Sequence, residues 1–137
     1  MDCQFCRIAA AQVPAAIVFE DDLTLAFLDH RPLFPGHCLL IPKVHYNTLA
    51  DLPADLIAPL FANARRLSGA VEQAMAAEGS FVAINNRVSQ SVPHLHVHIV
   101  PRRRKDGLRG FFWPRHKYAS DAEMENVARS LRQALAR

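Results

Sequence analysis

Apolar and polar residues alternate most strictly in the run His94-Leu95-His96-Val97-His98-Ile99-Val100. Side chains on a strand point alternately to opposite faces, so this run predicts a strand over 94–100. Leu95, Val97 and Ile99 enter a core on one face, and three imidazoles stand about 6 to 7 Å apart on the other. Alternation at 17–20 and 24–28 predicts two further strands joined as a hairpin through Asp21-Asp22. Pro35-Gly36 makes a type II turn into a third strand over 37–41, which Pro42 ends. A strand over 80–84 and the histidine strand can pair as a hairpin across the loop 85–93.

Between these strands the period lengthens. Leu56, Leu60, Ala64, Leu67, Val71 and Met75 recur every three or four residues and predict a long helix over 53–77, with Gly79 as its stop. Pro59 falls inside it. An interior proline costs about 3 kcal/mol, which predicts a separate short turn before Pro59 or a kink there. Ala54, Ile57, Ala58, Phe61, Ala62, Ala70 and Ala74 widen the apolar face, as at a dimer interface or through helix propensity alone. Residues 3–12 form a short helical or irregular piece ending before Pro14. The capping box Ser120-Asp121-Ala122-Glu123 opens a last helix to about residue 136. The sum is an α+β fold: a five-stranded, mainly antiparallel sheet with one long central helix and a C-terminal helix.

With 137 residues, half of them apolar, the chain fits one globular domain, 1–137. No apolar run of about 18 residues is present, and Met1-Asp2-Cys3 begins without the basic and apolar regions of a signal peptide, so a cytoplasmic location and no membrane partner are expected. The net charge of +3 concentrates in Arg102-Arg103-Arg104-Lys105 and Arg109, a solvated loop or an attractor for a phosphorylated ligand. No motif of a nucleic-acid reader accompanies it, so no nucleic acid is expected as a partner. Phe111-Phe112-Trp113 is a hydrophobic plug or a pocket wall.

Burying three imidazoles together is costly unless a ligand, metal or substrate uses them. An odd count of three cysteines argues for reduced thiols, which makes Cys3-x-x-Cys6 a metal or redox pair, while Cys38 reads as a small core residue. Cys3, Cys6, His45 and His94 supply two thiolates and two imidazoles, enough for a tetrahedral zinc shell; otherwise the two cysteines are ordinary buried residues. On its own, Asp29 reads as a surface turn acid. His37 reads as a buried, hydrogen-bonded support able to orient a neighbour. His30 and His116 carry no assigned role.

His94-Leu95-His96-Val97-His98-Ile99-Val100-Pro101, with Gln90-Ser91-Val92 before it, resembles the signature of the histidine triad family of nucleotide hydrolases and transferases. The similarity extends through Phe19-Glu20-Asp21-Asp22, Phe27-Leu28-Asp29, Pro35-Gly36-His37 and Ile41-Pro42-Lys43-Val44-His45. It implies that His96 attacks an α-phosphorus and that His98, Ser91 and the amides of the Gln90 loop hold phosphate oxygens, with Gln90 and Asn85 as polar contributors. It also implies that Asp29 receives the ribose hydroxyls while Phe5, Ile8, Phe27 and Leu28 surround the base of an adenine nucleotide. Members with an N-terminal Cys-x-x-Cys imply structural zinc on Cys3, Cys6, His45 and His94. The resemblance further implies a homodimer, a variable C-terminal segment from about residue 102, and substrates among dinucleoside polyphosphates or nucleoside phosphoramidates. Two other readings stay open: a zinc-water hydrolase using triad histidines as ligands, and a nucleotide-binding interaction protein with little turnover. The loop 85–90 departs from the family's glycine-rich pattern, with Ser89 where glycine is usual, which bears on phosphate contacts and on leaving groups.

Overall fold

A computed structural model describes residues 2–109 and 114–136 and divides into two units, Met1–Asp106 and Gly107–Arg137. The first contains helices α1 (Gln4–Ala9) and α2 (Ala54–Ala74) and strands β1 (Ile17–Glu20), β2 (Thr24–Leu28), β3 (Cys38–Pro42), β4 (Gly79–Ala83) and β5 (Val97–Arg102). The strands form one sheet in the order β1-β2-β3-β5-β4, and every pairing is antiparallel.

Period-two alternation divides the apolar residues between the two faces of this sheet. Ala26, Cys38, Leu40, Val97 and Ile99 pack with Leu60, Ala64, Leu67 and Val71 of α2. Leu25, Phe27, Leu39 and Ile41 cluster with Phe5 and Ile8 of α1 on the other. Leu95, Val97 and Ile99 are all fully buried, as their alternation requires.

The histidine strand is shorter than expected. It starts at Val97, so His94 and His96 precede the ladder. β3 pairs Leu40 with Val97, and two positions further on lies Pro42, which has no N–H to donate. The Pro42 carbonyl instead receives the His94 ring at 2.8 Å, while the Leu95 amide bonds the Tyr46 carbonyl at 2.6 Å. The spacing also departs from the roughly 6 to 7 Å of a regular pleat: the rings of His96 and His98 lie 4.9 Å apart between centroids.

Two expectations about α2 also change. Pro59 neither breaks the helix nor sits behind a separate turn; it lies within Ala54–Ala74, near the N-terminus, where the carbonyl it leaves free belongs to exposed Asp55. The stop is Ala76, not Gly79. Ala76 takes φ 50°, its amide bonds the Gln73 carbonyl and the Ala77 amide bonds the Glu72 carbonyl, a Schellman ending built without glycine. Gly79 opens β4. Gly36, by contrast, is required: its φ is 97°, the His37 amide closes the turn on the Phe34 carbonyl at 3.0 Å, and a Cβ there would meet Met75 Cγ at 2.6 Å.

Much of the basic run is locally paired. Arg102 holds Asp106 through two bonds of 2.6 and 3.0 Å, Arg104 pairs with Glu78 at 2.5 Å, and the Arg103 guanidinium caps the Met75 carbonyl. These contacts fasten the end of β5 to the end of α2, so the run reads as a structural clamp.

The second unit holds α3 (Asp121–Leu135), capped by Ser120 Oγ, which accepts the Glu123 amide at 3.1 Å. Phe111-Phe112-Trp113 lie outside the described residues. No helix among the described residues is long and apolar enough to cross a membrane.

Candidate active site

A cleft of about 520 Å³ opens on the α1 side of the sheet, a size suited to a nucleotide-sized ligand. Phe5, Ile8, Phe27 and Leu39 make its apolar wall, Asp29 and Ser91 supply polar groups, and His96 and His98 form its floor. Phe5 is the keystone of the wall. Its ring stands edge-on to Phe27, His94 and His96, with centroids 5.2, 5.9 and 5.1 Å away.

Hydrogen-bond partners fix which nitrogen of each imidazole carries the proton. His96 Nδ1 lies 2.7 Å from the His94 carbonyl, which only accepts, so Nδ1 holds the proton and the Nε2 lone pair is left to the cleft. The Leu33 amide donates to His37 Nδ1 at 3.1 Å, which places the proton of neutral His37 on Nε2. That Nε2 donates to His98 Nδ1 at 3.0 Å, so His98 must carry its own proton on Nε2. One floor imidazole thus presents a lone pair and its neighbour presents an N–H.

Electrostatics keep the relay neutral. Burial pushes His98 down to about 4, His96 and His37 add to the effect, and the Asp29 carboxylate opposes it. Burial likewise lowers His37, partly offset by Asp29, whose Oδ2 lies 3.8 Å from His37 Nε2. Asp29 is no free surface acid: its side chain is 19% exposed, its Oδ1 accepts the Arg31 amide at 2.9 Å, and it borders the cleft.

Behind Phe5, the donor atoms of Cys3, Cys6, His45 and His94 all lie within 4.8 Å of one another and could hold a metal ion. His94 Nε2 donates to the Pro42 carbonyl at 2.8 Å and His45 Nε2 to Asn47 Oδ1 at 2.7 Å, which turns both Nδ1 lone pairs toward the sulfurs. His94 Nδ1 stands 3.4 Å from Cys3 Sγ and 3.6 Å from Cys6 Sγ, and His45 Nδ1 stands 3.3 Å from Cys6 Sγ. A sulfur and a nitrogen bound to one tetrahedral zinc at their usual lengths are about 3.5 Å apart, so this donor set fits zinc.

Of the residues the sequence singles out for substrate, Phe5, Ile8, Phe27, Leu28, Asp29 and Ser91 line the cleft. Gln90 and Asn85 do not. Gln90 donates from Nε2 to the Asn47 carbonyl at 2.6 Å and accepts the Arg87 amide at 2.8 Å, so its side chain ties the loop. Gln4, Pro14, Ala15 and His30 also border the cleft. Sequence reasoning gave them no such role, because only the packing of α1 against β2 brings them there.

Comparison with known proteins agrees with this geometry. The HIT domain profile matches residues 10–105. The adenylylsulfatase HINT3 of Arabidopsis thaliana is 33% identical over 98% of this chain and 70% of its own length. The asymmetrical bis(5'-nucleosyl)-tetraphosphatase of Schizosaccharomyces pombe is 34% identical over 69% of this chain and 53% of its own length. Among solved structures, a HIT family member from Bacillus subtilis superposes with a TM-score of 0.88 at 33% identity, covering 97% of this chain and 96% of that one. A zinc-bound histidine triad family protein from Mycobacterium smegmatis gives 0.75 at 34% identity, covering 99% and 97%.

Proposed function

Because the chain belongs to the HIT domain family, we propose that it is a nucleotidyl hydrolase or transferase acting at an α-phosphate through a covalent nucleotide on His96. The observation that carries this reading is the pairing of a His96 Nε2 lone pair with a His98 Nε2–H on one cleft floor. His96 attacks phosphorus, the bond to the leaving group breaks and that group takes the electron pair. The ring becomes an imidazolium whose Nδ1–H is already held by the His94 carbonyl at 2.7 Å, so the charge it gains is stabilised where it forms. His98 donates to a non-bridging oxygen, and Ser91 is within the same wall to hold another. Water then attacks the same phosphorus, the N–P bond breaks, a proton goes to solvent and neutral His96 is restored. A transferase replaces the water by another acceptor.

Phe5, Ile8, Phe27 and Leu28 would sandwich an adenine base, and Asp29 would receive the ribose hydroxyls. Dinucleoside polyphosphates and nucleoside phosphoramidates are the substrate classes, the first in keeping with the name of the tetraphosphatase relative. Zinc on Cys3, Cys6, His45 and His94 is structural in this reading: four protein donors fill a tetrahedron and leave no place for water. The chain acts as a cytoplasmic homodimer, supported by Ile57 and Phe61, which α2 leaves 48% and 39% exposed. A His96→Ala variant tests the reading. It should bind an adenine nucleotide with little change in affinity and release no product; turnover near the wild-type rate removes the proposal.

A further inference from the structure

The cleft continues in two directions. Past Ile8, Pro14 and Ala15 it adjoins a hollow of about 480 Å³ on the base side that bears the carboxylate of Glu20. Past Gln4, Ser91 and Val92 it adjoins a hollow of about 400 Å³, and this shares Asn47 and Pro93 with a polar one of about 420 Å³ that bears Arg87. The reacting phosphorus would lie beside His96, His98 and Ser91. A nucleoside held against Phe5 and Asp29 therefore leaves the trough that ends at Arg87 for the departing group.

Arg87 is held in that trough by a bolted loop. Its φ is 70°, in the left-handed region that disfavours any side chain. Gln90 keeps it there by accepting the Arg87 amide at 2.8 Å while donating to the Asn47 carbonyl at 2.6 Å, and Asn86 Oδ1 receives the Leu49 amide at 2.8 Å. Among the described residues the Arg87 guanidinium has no ion-pair partner. Asp51 borders the same hollow, but its Oδ2 accepts both the amide and the hydroxyl of Thr48, at 3.0 and 2.8 Å, which offsets part of its charge.

We propose that the trough from Ser91 to Arg87 is the leaving-group side of the site, that it takes an anionic phosphate chain, and that Arg87 sets the preference for such leaving groups. The proposal rests on the nucleotidyl reading of His96. When His96 Nε2 bonds to phosphorus and the P–O bond breaks, the electron pair stays on the leaving phosphate oxygen, and a fixed guanidinium offsets that charge without giving up a proton. An uncharged amine leaving a phosphoramidate takes the P–N electron pair and a proton from solvent. It departs neutral, so Arg87 does nothing for it.

Arg87→Gly is the informative variant, because glycine suits a φ of 70° and the loop loses the cation without losing its path. The experiment compares kcat/KM of the wild type, Arg87→Gly and Arg87→Lys on a dinucleoside tetraphosphate and on a phosphoramidate of an uncharged amine, both carrying the same nucleoside. Arg87→Gly should lose about tenfold or more on the tetraphosphate and stay within about twofold on the phosphoramidate, with Arg87→Lys between. Equal losses on both substrates, or none on either, overturn the proposal. A wild type that turns over neither substrate fails in another place: it removes the nucleotidyl reading, and this proposal falls with it.

Discussion

His37 Nε2 stands 3.0 Å from His98 Nδ1, and the Leu33 amide on the far side of the His37 ring gives that contact a direction. A backbone N–H of the turn leading into β3 thereby selects which nitrogen of His98 faces the cleft. The path is Leu33 to His37 to His98, and each donor leaves only one tautomer for the next ring.

Replacing His37 should therefore disturb chemistry more than binding. His37→Ala leaves His98 free to take either tautomer, and kcat should fall by about ten- to a hundredfold while KM changes little. His37→Gln, whose amide can donate to His98, should recover part of that loss. Steady-state kinetics with one nucleotide substrate checks both; a loss confined to KM would contradict the relay.

The same burial makes the fold sensitive to acid. His98 in the folded chain is held at about 4, below its ordinary 6.5. Between those values the unfolded chain binds a proton that the folded site refuses, so stability contributed above pH 6.5 is lost as pH falls toward 4. His37 is lowered in the same direction. Denaturant midpoints at pH 7.5 and 4.5 should drop less in His98→Asn than in the wild type. Parallel drops would contradict the assignment.

Phe5 links the metal-binding cluster to the cleft. It lies between Cys3 and Cys6 in α1, is 6% exposed, and its ring packs 5.1 Å from that of His96. Phe5→Ala should cost about 3 kcal/mol of stability, measured by denaturation. Cys6→Ser should lower the bound zinc measured by elemental analysis and the melting temperature together. Full zinc content in Cys6→Ser would remove Cys6 from the ligand set.

Asn63 tests a contact remote from the cleft. Buried in α2, it donates from Nδ2 to Asp21 Oδ2 and Thr24 Oγ1, both at 2.9 Å, and ties the β1–β2 turn to the helix. Burial alone would raise the Asp21 carboxyl, but bonds from Thr24, Asn63 and Leu23 outweigh it and hold it below its ordinary value. Asn63→Ala should cost about 2 kcal/mol and raise the Asp21 pKa, readable by NMR titration, with kcat unchanged.

Local patterns were legible in the sequence where their cause is local. The buried set Leu95, Val97 and Ile99 follows from alternation, and the turn at Pro35-Gly36 follows from a fixed φ beside a permissive one. The donor set of Cys3, Cys6, His45 and His94 follows from thiolate and imidazole chemistry together with the resemblance, and these side chains do converge. What escaped depends on distant chain. The strand stops short of His96 because Pro42 on another strand lacks an N–H, and Gln90 turns from the cleft because the Asn47 carbonyl receives it. That α2 ends at Ala76 was not legible because the pattern of polar and apolar residues carries no mark of a left-handed alanine.

The central claim is that His96 Nε2 carries the nucleotide. Mixing the protein with a dinucleoside tetraphosphate, quenching in alkaline denaturant to preserve an acid-labile N–P bond, and mapping peptides by mass spectrometry tests it most directly. The account predicts one nucleoside monophosphate adduct, on His96, formed and consumed at rates compatible with turnover and missing from His96→Ala. An adduct on another residue, or turnover in His96→Ala without any adduct, would contradict it.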